Sequence, residues 1–225
     1  MRSNESMRSR FDRTGRHRVR FHTPEIAHAI RLARKHDMRM ADGLFYNDLR
    51  EPHFVSDLAA VTLATTDKAL YTTSDVPNLA GYFLRPGKKV RVRLFGKITT
   101  AATPGNLTID VYWGSGADAT GTIVVSSAAF ALTASQTNLS WECEVTVRCI
   151  TKGSSGSLRG RGIFSANVGV VASTLQPVMI PASANADVSV DLSPSANNII
   201  SVQAKRSGST AETMTVQDLE VIALC

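Results

Sequence analysis

No histidine follows His53 in this 225-residue chain; all five lie early, at His17, His22, His28, His36 and His53. A Ser–His–Asp site would therefore need the first quarter of the chain to fold back over the rest. The serine-rich remainder also lacks a G-x-S-x-G elbow. Cysteine is scarce as well: three residues do not make a disulfide framework. Cys143 and Cys149 lie six apart in an alternating stretch, which on one strand separates them by about 20 Å, too far to bridge. With Cys225 as the last residue, the expectation is reduced structural thiols made in a cytoplasm. There is no run of about 18 apolar residues, so no transmembrane helix and no membrane partner are expected. The start is Arg-rich without an apolar h-region, unlike a secretory signal. Asp12, Glu25 and Asp37 count against a transit peptide.

Charged residues make up 20% of the chain, below the roughly 25% of an average soluble protein. Ser, Thr, Ala, Val and Asn take their place, a mixture suited to short strands and polar turns. Apolar residues stand at 43%, enough for a real core. The formal charge of +6 is unevenly spread. Residues 1–39 hold 11 Lys or Arg against 4 acidic residues, a net +7, while residues 40–225 hold 14 against 15. So sharp a split marks two parts with different jobs.

Residues 1–22 read as an arm. Arg2, Arg8, Arg10, Arg13, Arg16, Arg18 and Arg20 recur with little apolar content between them. Alone in water such a segment cannot bury enough surface to offset its ordering entropy. Residues 23–37 read as a short helix: Thr23 as N-cap, Pro24 at the first helical position, Glu25 at the positive end of the dipole. Ile26, Ala29, Ile30 and Ala33 form one apolar stripe, and Arg31, Arg34, Lys35 and His36 crowd the C-terminal end. A helix this short needs a surface to lie on. Residues 38–60 form a connector whose Leu44, Phe45, Tyr46, Phe54 and Leu58 are expected to pack on a partner or on a sheet edge.

From about residue 61 the period becomes two. Val90, Val92 and Leu94 alternate with Arg91, Arg93 and Phe95; Leu107 to Trp113 and Leu139 to Cys149 follow the same rule. Val188, Val190 and Leu192 repeat it, as do Met214, Val216, Leu219 and Val221 with one slip. Less regular strands are expected within 61–71, 121–131, 161–171, 177–181 and 198–205. Arg85-Pro86-Gly87, Thr103-Pro104-Gly105-Asn106, Gly114-Ser115-Gly116 and Ser207-Gly208 mark turns between them. The Gly-rich stretch Gly153–Gly162 lacks the Gly-Lys-Ser ending of a phosphate loop and reads as a long flexible hairpin tip. Its Arg159 and Arg161 are candidates to meet a neighbour's acidic surface. Eight to ten short strands without intervening helices make the fold class all-β. The expected architecture is an antiparallel β-sandwich with one wet face, a jelly roll, preceded by the basic arm with one short helix. The domains divide as 1–60 and 61–225.

Candidate chemistry is sparse. His28 and His36 lie eight apart, two helical turns, too far to share a metal ion directly. Glu142 and Glu144 would share one face of a strand, where a carboxylate pair could serve a glycosidase. Alternating glutamates on a wet face more commonly serve solubility. The expectation is no catalytic residue, no metal and no cofactor. The arm carries the functional signal. Its arginines can fork onto carboxylates of a protein surface, or neutralise phosphates of nucleic acid, the second-ranked partner. The expected partner-binding residues are Arg8, Arg10, Phe11, Arg13, Arg16, Arg18, Arg20 and Phe21 of the arm, with Ile26, Ile30, Arg31, Arg34 and Lys35 of the helix.

Three stretches resemble the accessory virion proteins of tailed bacteriophages. Asn78 to Gly87 resembles the entry to their sandwich domain. Asn106 to Gly116 and the small-residue strand 121–131 share their texture, and Thr213 to Leu224 resembles their terminal strand. The resemblance covers about residues 61–225. It implies a jelly-roll-like sandwich without catalysis, located in the virion and attached to a capsid or tail. The chain is then expected to be a homo-oligomer that decorates or stabilises the capsid by docking its arm on major capsid subunits. A tail, neck or fibre location differs only in partner. Icosahedral RNA-virus coat proteins also join an Arg-rich arm to a jelly roll, and that resemblance implies an arm on the genome.

Overall fold

The computed structural model describes residues 53–79, 83–167, 177–193, 196–208 and 210–224 in full, and the backbone of residues 9–11 and 17–19. The chain divides into two units, Met1–Leu44 and Phe45–Cys225. In the first, β1 (Ser9–Phe11) pairs antiparallel with β2 (His17–Val19), so the arm contains a short hairpin. The helix expected over 23–37 lies outside the described residues.

In the second unit the described residues contain strands and no helix. In chain order these are β3 (His53–Ser56), β4 (Val61–Thr62), β5 (Lys68–Ala69), β6 (Lys89–Thr99), β7 (Asn106–Gly114) and β8 (Thr122–Ser126). There follow β9 (Phe130–Ala131), β10 (Leu139–Thr151), β11 (Gly156–Ala166), β12 (Val178–Ile180), β13 (Val188–Val190), β14 (Ile199–Arg206) and β15 (Thr213–Leu224). They form two antiparallel sheets. The larger runs β12-β11-β10-β6-β15-β3, with β13 beside β11 and β4 beside β15. The smaller runs β5-β14-β7-β8, with β9 beside β7.

Alternation explains the core. Val92 and Leu94 of β6, Val145 and Val147 of β10 and Leu219 of β15 point inward from the larger sheet. Ile109 and Val111 of β7 and Val202 of β14 meet them from the smaller one. Each large aliphatic side chain removed from water contributes roughly 1.5–3 kcal/mol. Phe164 lies between two aromatic neighbours, 5.3 Å from Phe130 and 5.9 Å from Trp141 between ring centroids.

The slip in the last strand is a β-bulge. Val216 stands opposite Gly96, but Asp218 stands opposite Phe95, so Gln217 is the extra residue. The bulge resets the pleat, and Met214, Val216, Leu219 and Val221 are all buried. At Arg85-Pro86-Gly87 the Lys88 amide donates to the Arg85 carbonyl at 2.9 Å, with Gly87 at φ +90°. Proline then glycine at these positions is the type II turn preference.

Three expectations need correction. The stretch 153–162 is a turn only as far as residue 155; β11 begins at Gly156. Its glycines make space: a Cβ on Gly160 would lie 2.5 Å from Cγ1 of Val125 on the facing sheet. Part of the connector is itself a strand, since β3 pairs with β15; Leu58 packs against the core as expected, but Phe54 is 67% exposed. Finally, the outer face of the smaller sheet is not wet. Asp110 and Gln203 are fully buried there because chain segments roof them.

One edge of the smaller sheet is closed by a side chain. The Tyr71 hydroxyl donates to the Ile200 carbonyl at 2.9 Å and accepts the Val202 amide at 3.0 Å. Burial raises the pKa of this phenol well above the usual tyrosine value, which keeps it a donor.

Candidate functional site

Of the arm and helix residues expected to contact a partner, Arg10, Phe11 and Arg18 fall within the described residues, as backbone positions of β1 and β2. Arg10 stands opposite Arg18 and Phe11 opposite His17. The others lie outside the described residues, as do His22, His28 and His36. Among the described residues, no group of three His, Cys, Asp or Glu is placed to hold a metal ion. No helix among them is long and apolar enough to cross a membrane.

The outer face of the larger sheet is laid out in rows across the strands. Glu220, Arg93 and Glu144 occupy successive positions on β15, β6 and β10. The Arg93 guanidinium lies 3.0 Å from Glu142, 3.2 Å from Glu144 and 3.7 Å from Glu220. The pleat does place Glu142 and Glu144 on one face, but an arginine grips them both. About a third of each side chain is solvated, so each pair contributes little on its own; the network fixes the face more than it stabilises the fold.

Two rows toward the other end of that face the charge reverses. Arg148 of β10 stands opposite Lys89 of β6 on one side and opposite Arg159 of β11 on the other. In the next row, Thr146 separates Arg91 from Arg161. Lys89, Thr146, Arg148, Arg159, Arg161 and Asn185 line a cavity of about 260 Å³. The Arg159 Nε donates to Asp187 at 2.7 Å, which ties the β12–β13 loop to the sheet. Sequence reasoning singled out Arg159 and Arg161. It missed Lys89 and Arg148, because only the strand register brings them alongside.

On the smaller sheet, the roof over the outer face encloses a polar cluster. The Lys205 ammonium donates to Asp110 at 2.5 Å and to Asp67 at 3.3 Å, and the Tyr112 hydroxyl donates to Asp67 at 2.7 Å. Gln203 accepts the Ala119 amide at 2.8 Å and donates to the Ala117 carbonyl at 2.9 Å, holding the 115–121 loop down. Burial raises the Asp110 pKa; Lys205 and Ser126 pull it back, and the neighbouring Asp67 pushes it up again. For Lys205, burial pulls downward, but the hydrogen bond to Asp110 and the charges of both aspartates outweigh it and hold the pKa above the usual lysine value. This cluster is occupied by its own cation and reads as structural glue.

Cys143 and Cys149 are both buried. Burial and the flanking Glu142 and Glu144 charges push Cys143 up to about 12, and burial also raises Cys149. Neither is disulfide-bonded.

Comparison with protein families, with characterised proteins and with solved structures finds no match for this chain.

Proposed function

We propose that this chain is a structural virion protein of a tailed phage: a jelly-roll body that decorates or stabilises the capsid through its cationic N-terminal arm. The strand order supports the jelly-roll body, and the charge confined to the first 39 residues carries the rest of the reading. The two sheets contain the rows β3-β15-β6-β10 and β5-β14-β7-β8. Along the chain, partners are taken from the outside inward: β3 with β15, β5 with β14, then β6 with β10 and β7 with β8. That nesting is the order two Greek keys generate when a long hairpin wraps into two facing sheets, with β11 to β13 added at one edge.

Jelly rolls serve viral capsids, lectins and cupins alike, so the fold alone does not choose among them. The charge distribution favours the virion. A net +7 is confined to residues 1–39, and the remaining chain is close to neutral. A cationic extension gains order by contact with another molecule, and a lattice of repeated subunits offers that contact many times over. The apolar stripe Ile26, Ala29, Ile30 and Ala33 favours a protein surface over nucleic acid.

Quantitative mass spectrometry of purified particles tests the reading: the chain is expected in many copies per particle. Changing Arg8, Arg10, Arg13, Arg16, Arg18 and Arg20 to serine is expected to leave a folded protein that no longer sediments with particles. Absence of the chain from particles, or attachment of the variant at normal occupancy, rejects it. Arm-dependent RNA binding that weakens steeply with salt would instead point to a genome-binding coat protein.

A further inference from the structure

The cations gathered at one end of the larger sheet are arranged against the sheet's own stability. Arg148 has a like charge directly opposite it on both neighbouring strands, Lys89 and Arg159. Directly opposed like charges destabilise a ladder. The same face shows the alternative two rows away, where Arg93 is surrounded by Glu142, Glu144 and Glu220. At the cationic end the corresponding neutral position is Thr146. Among the described residues, Lys89, Arg148 and Arg161 have no carboxylate within salt-bridge distance, and Asp187 engages Arg159 through Nε.

The cavity these residues line opens at the surface, where Arg148, Arg159, Arg161 and Asn185 are exposed. The loop that joins β12 to β13 supplies Asn185 on one side, and the Arg159–Asp187 pair anchors that loop. The floor carries a hydroxyl, Thr146, between guanidinium groups. Guanidinium groups, an amide and a hydroxyl lining a space of about 260 Å³ are the donor set for an anion with several oxygens. Its volume suits a compact group.

We propose that this cavity binds a compact multivalent oxyanion of the phosphate class, such as two or three linked phosphoryl groups. The forks of Arg148 and Arg161 grip its oxygens. Asn185 closes over it from the loop. Binding relieves the opposition of Lys89, Arg148 and Arg159, so the occupied sheet is more stable than the empty one. The site is distinct from the arm, and its occupancy does not depend on the virion assignment.

The test is calorimetry and thermal denaturation of the full chain with inorganic tripolyphosphate, against sodium chloride at matched ionic strength. Tripolyphosphate is expected to bind and to raise the melting temperature beyond the salt control. Arg148→Ser and Arg161→Ser are each expected to weaken binding about tenfold or more. Lys97→Ser, an exposed lysine elsewhere on the same face, is expected to leave it unchanged. Without ligand, Arg148→Ser is expected to melt no lower than the parent, because the change removes a like-charge opposition; this separates lost binding from misfolding. The arm arginine-to-serine variant controls for the other cationic segment and is expected to retain binding. No shift beyond the salt control, equal binding by Arg148→Ser, or loss of binding in the arm variant alone overturns the proposal. So does Arg148-dependent binding of a single-stranded oligonucleotide without any binding of tripolyphosphate.

Discussion

The indole of Trp141 covers Gly96, its partner on the neighbouring strand. A Cβ at residue 96 would sit 2.8 Å from Cζ2 of that ring and 2.0 Å from the Thr215 carbonyl oxygen. Gly96 falls on the inward phase of β6, between Leu94 and Ile98, where a larger apolar residue would otherwise pack. Its absent side chain is filled by the tryptophan that stacks on Phe164. Gly96→Ala is therefore expected to destabilise the fold by roughly 3 kcal/mol, the upper end for overpacking, because one of the clashing atoms is backbone. Urea unfolding checks this; a loss near that of an ordinary surface change would contradict it.

Replacing Lys205 with methionine leaves Asp67 and Asp110 without their shared cation. The expected loss at about pH 7 is about 2 kcal/mol, below the roughly 3–5 kcal/mol of a fully buried pair, because a third of Lys205 is solvated. The pH dependence has a definite sign. The Asp110 pKa is raised in the folded state, and loss of the ammonium raises it further. The folded variant then binds a proton at a pH where the unfolded chain does not, so its stability grows as pH falls. The gap to the parent is expected to narrow as the pH falls from neutrality toward the usual carboxylate range. A constant gap would argue against the proposed charge coupling.

Glu212 is fully buried where the β14–β15 turn meets the start of β7. It lies 3.1 Å from Arg206 Nε and accepts the Gly105 amide at 3.2 Å and the Thr210 hydroxyl at 2.7 Å. Glu212→Ala is expected to cost about 3 kcal/mol, the lower end for a broken buried pair, since Arg206 loses its carboxylate but keeps the carbonyls of Leu63 and Gly208. Adding Arg206→Met to Glu212→Leu is expected to recover part of that loss. Thermal denaturation of the single and double variants measures it.

Cys143 and Cys149 are expected to resist iodoacetamide in the folded protein at about pH 8, because the thiolate is the nucleophile and burial suppresses it. Both are expected to label once denaturant unfolds the chain. Peptide mass spectrometry of the alkylated residues reads the outcome residue by residue, and rapid native labelling of Cys143 would refute the packing described for β10.

Much of the fold is legible in the sequence wherever one face of a strand is apolar. The alternations at Val90 to Leu94, Leu107 to Trp113 and Leu139 to Cys149 correspond to β6, β7 and β10, and the single slip at Gln217 corresponds to the bulge in β15. Periodicity reports which face is buried, not what covers the other one. Hence Asp110 and Tyr112 read as solvated although the 115–121 loop and the segment around Asp67 enclose them. Glycine carries no hydropathy signal, so only the 161–166 half of β11 is legible as a strand, while 156–160 reads as a turn although its glycines and Gly162 admit Val125 and the β10 backbone. The candidate site was half legible. Arg159 and Arg161 are visible as cations in a turn-like segment, but Lys89 and Arg148 join them only through strand register.

Tyr71 has a consequence for assembly. A strand with free amides and carbonyls along its border invites any extended peptide to add on, the route to fibres and clumps. Here a phenol satisfies the Ile200 carbonyl and the Val202 amide where β5 stops. With the Leu70 amide on the Val202 carbonyl as well, that stretch of the β14 border is already bonded within its own chain and is closed to an added strand.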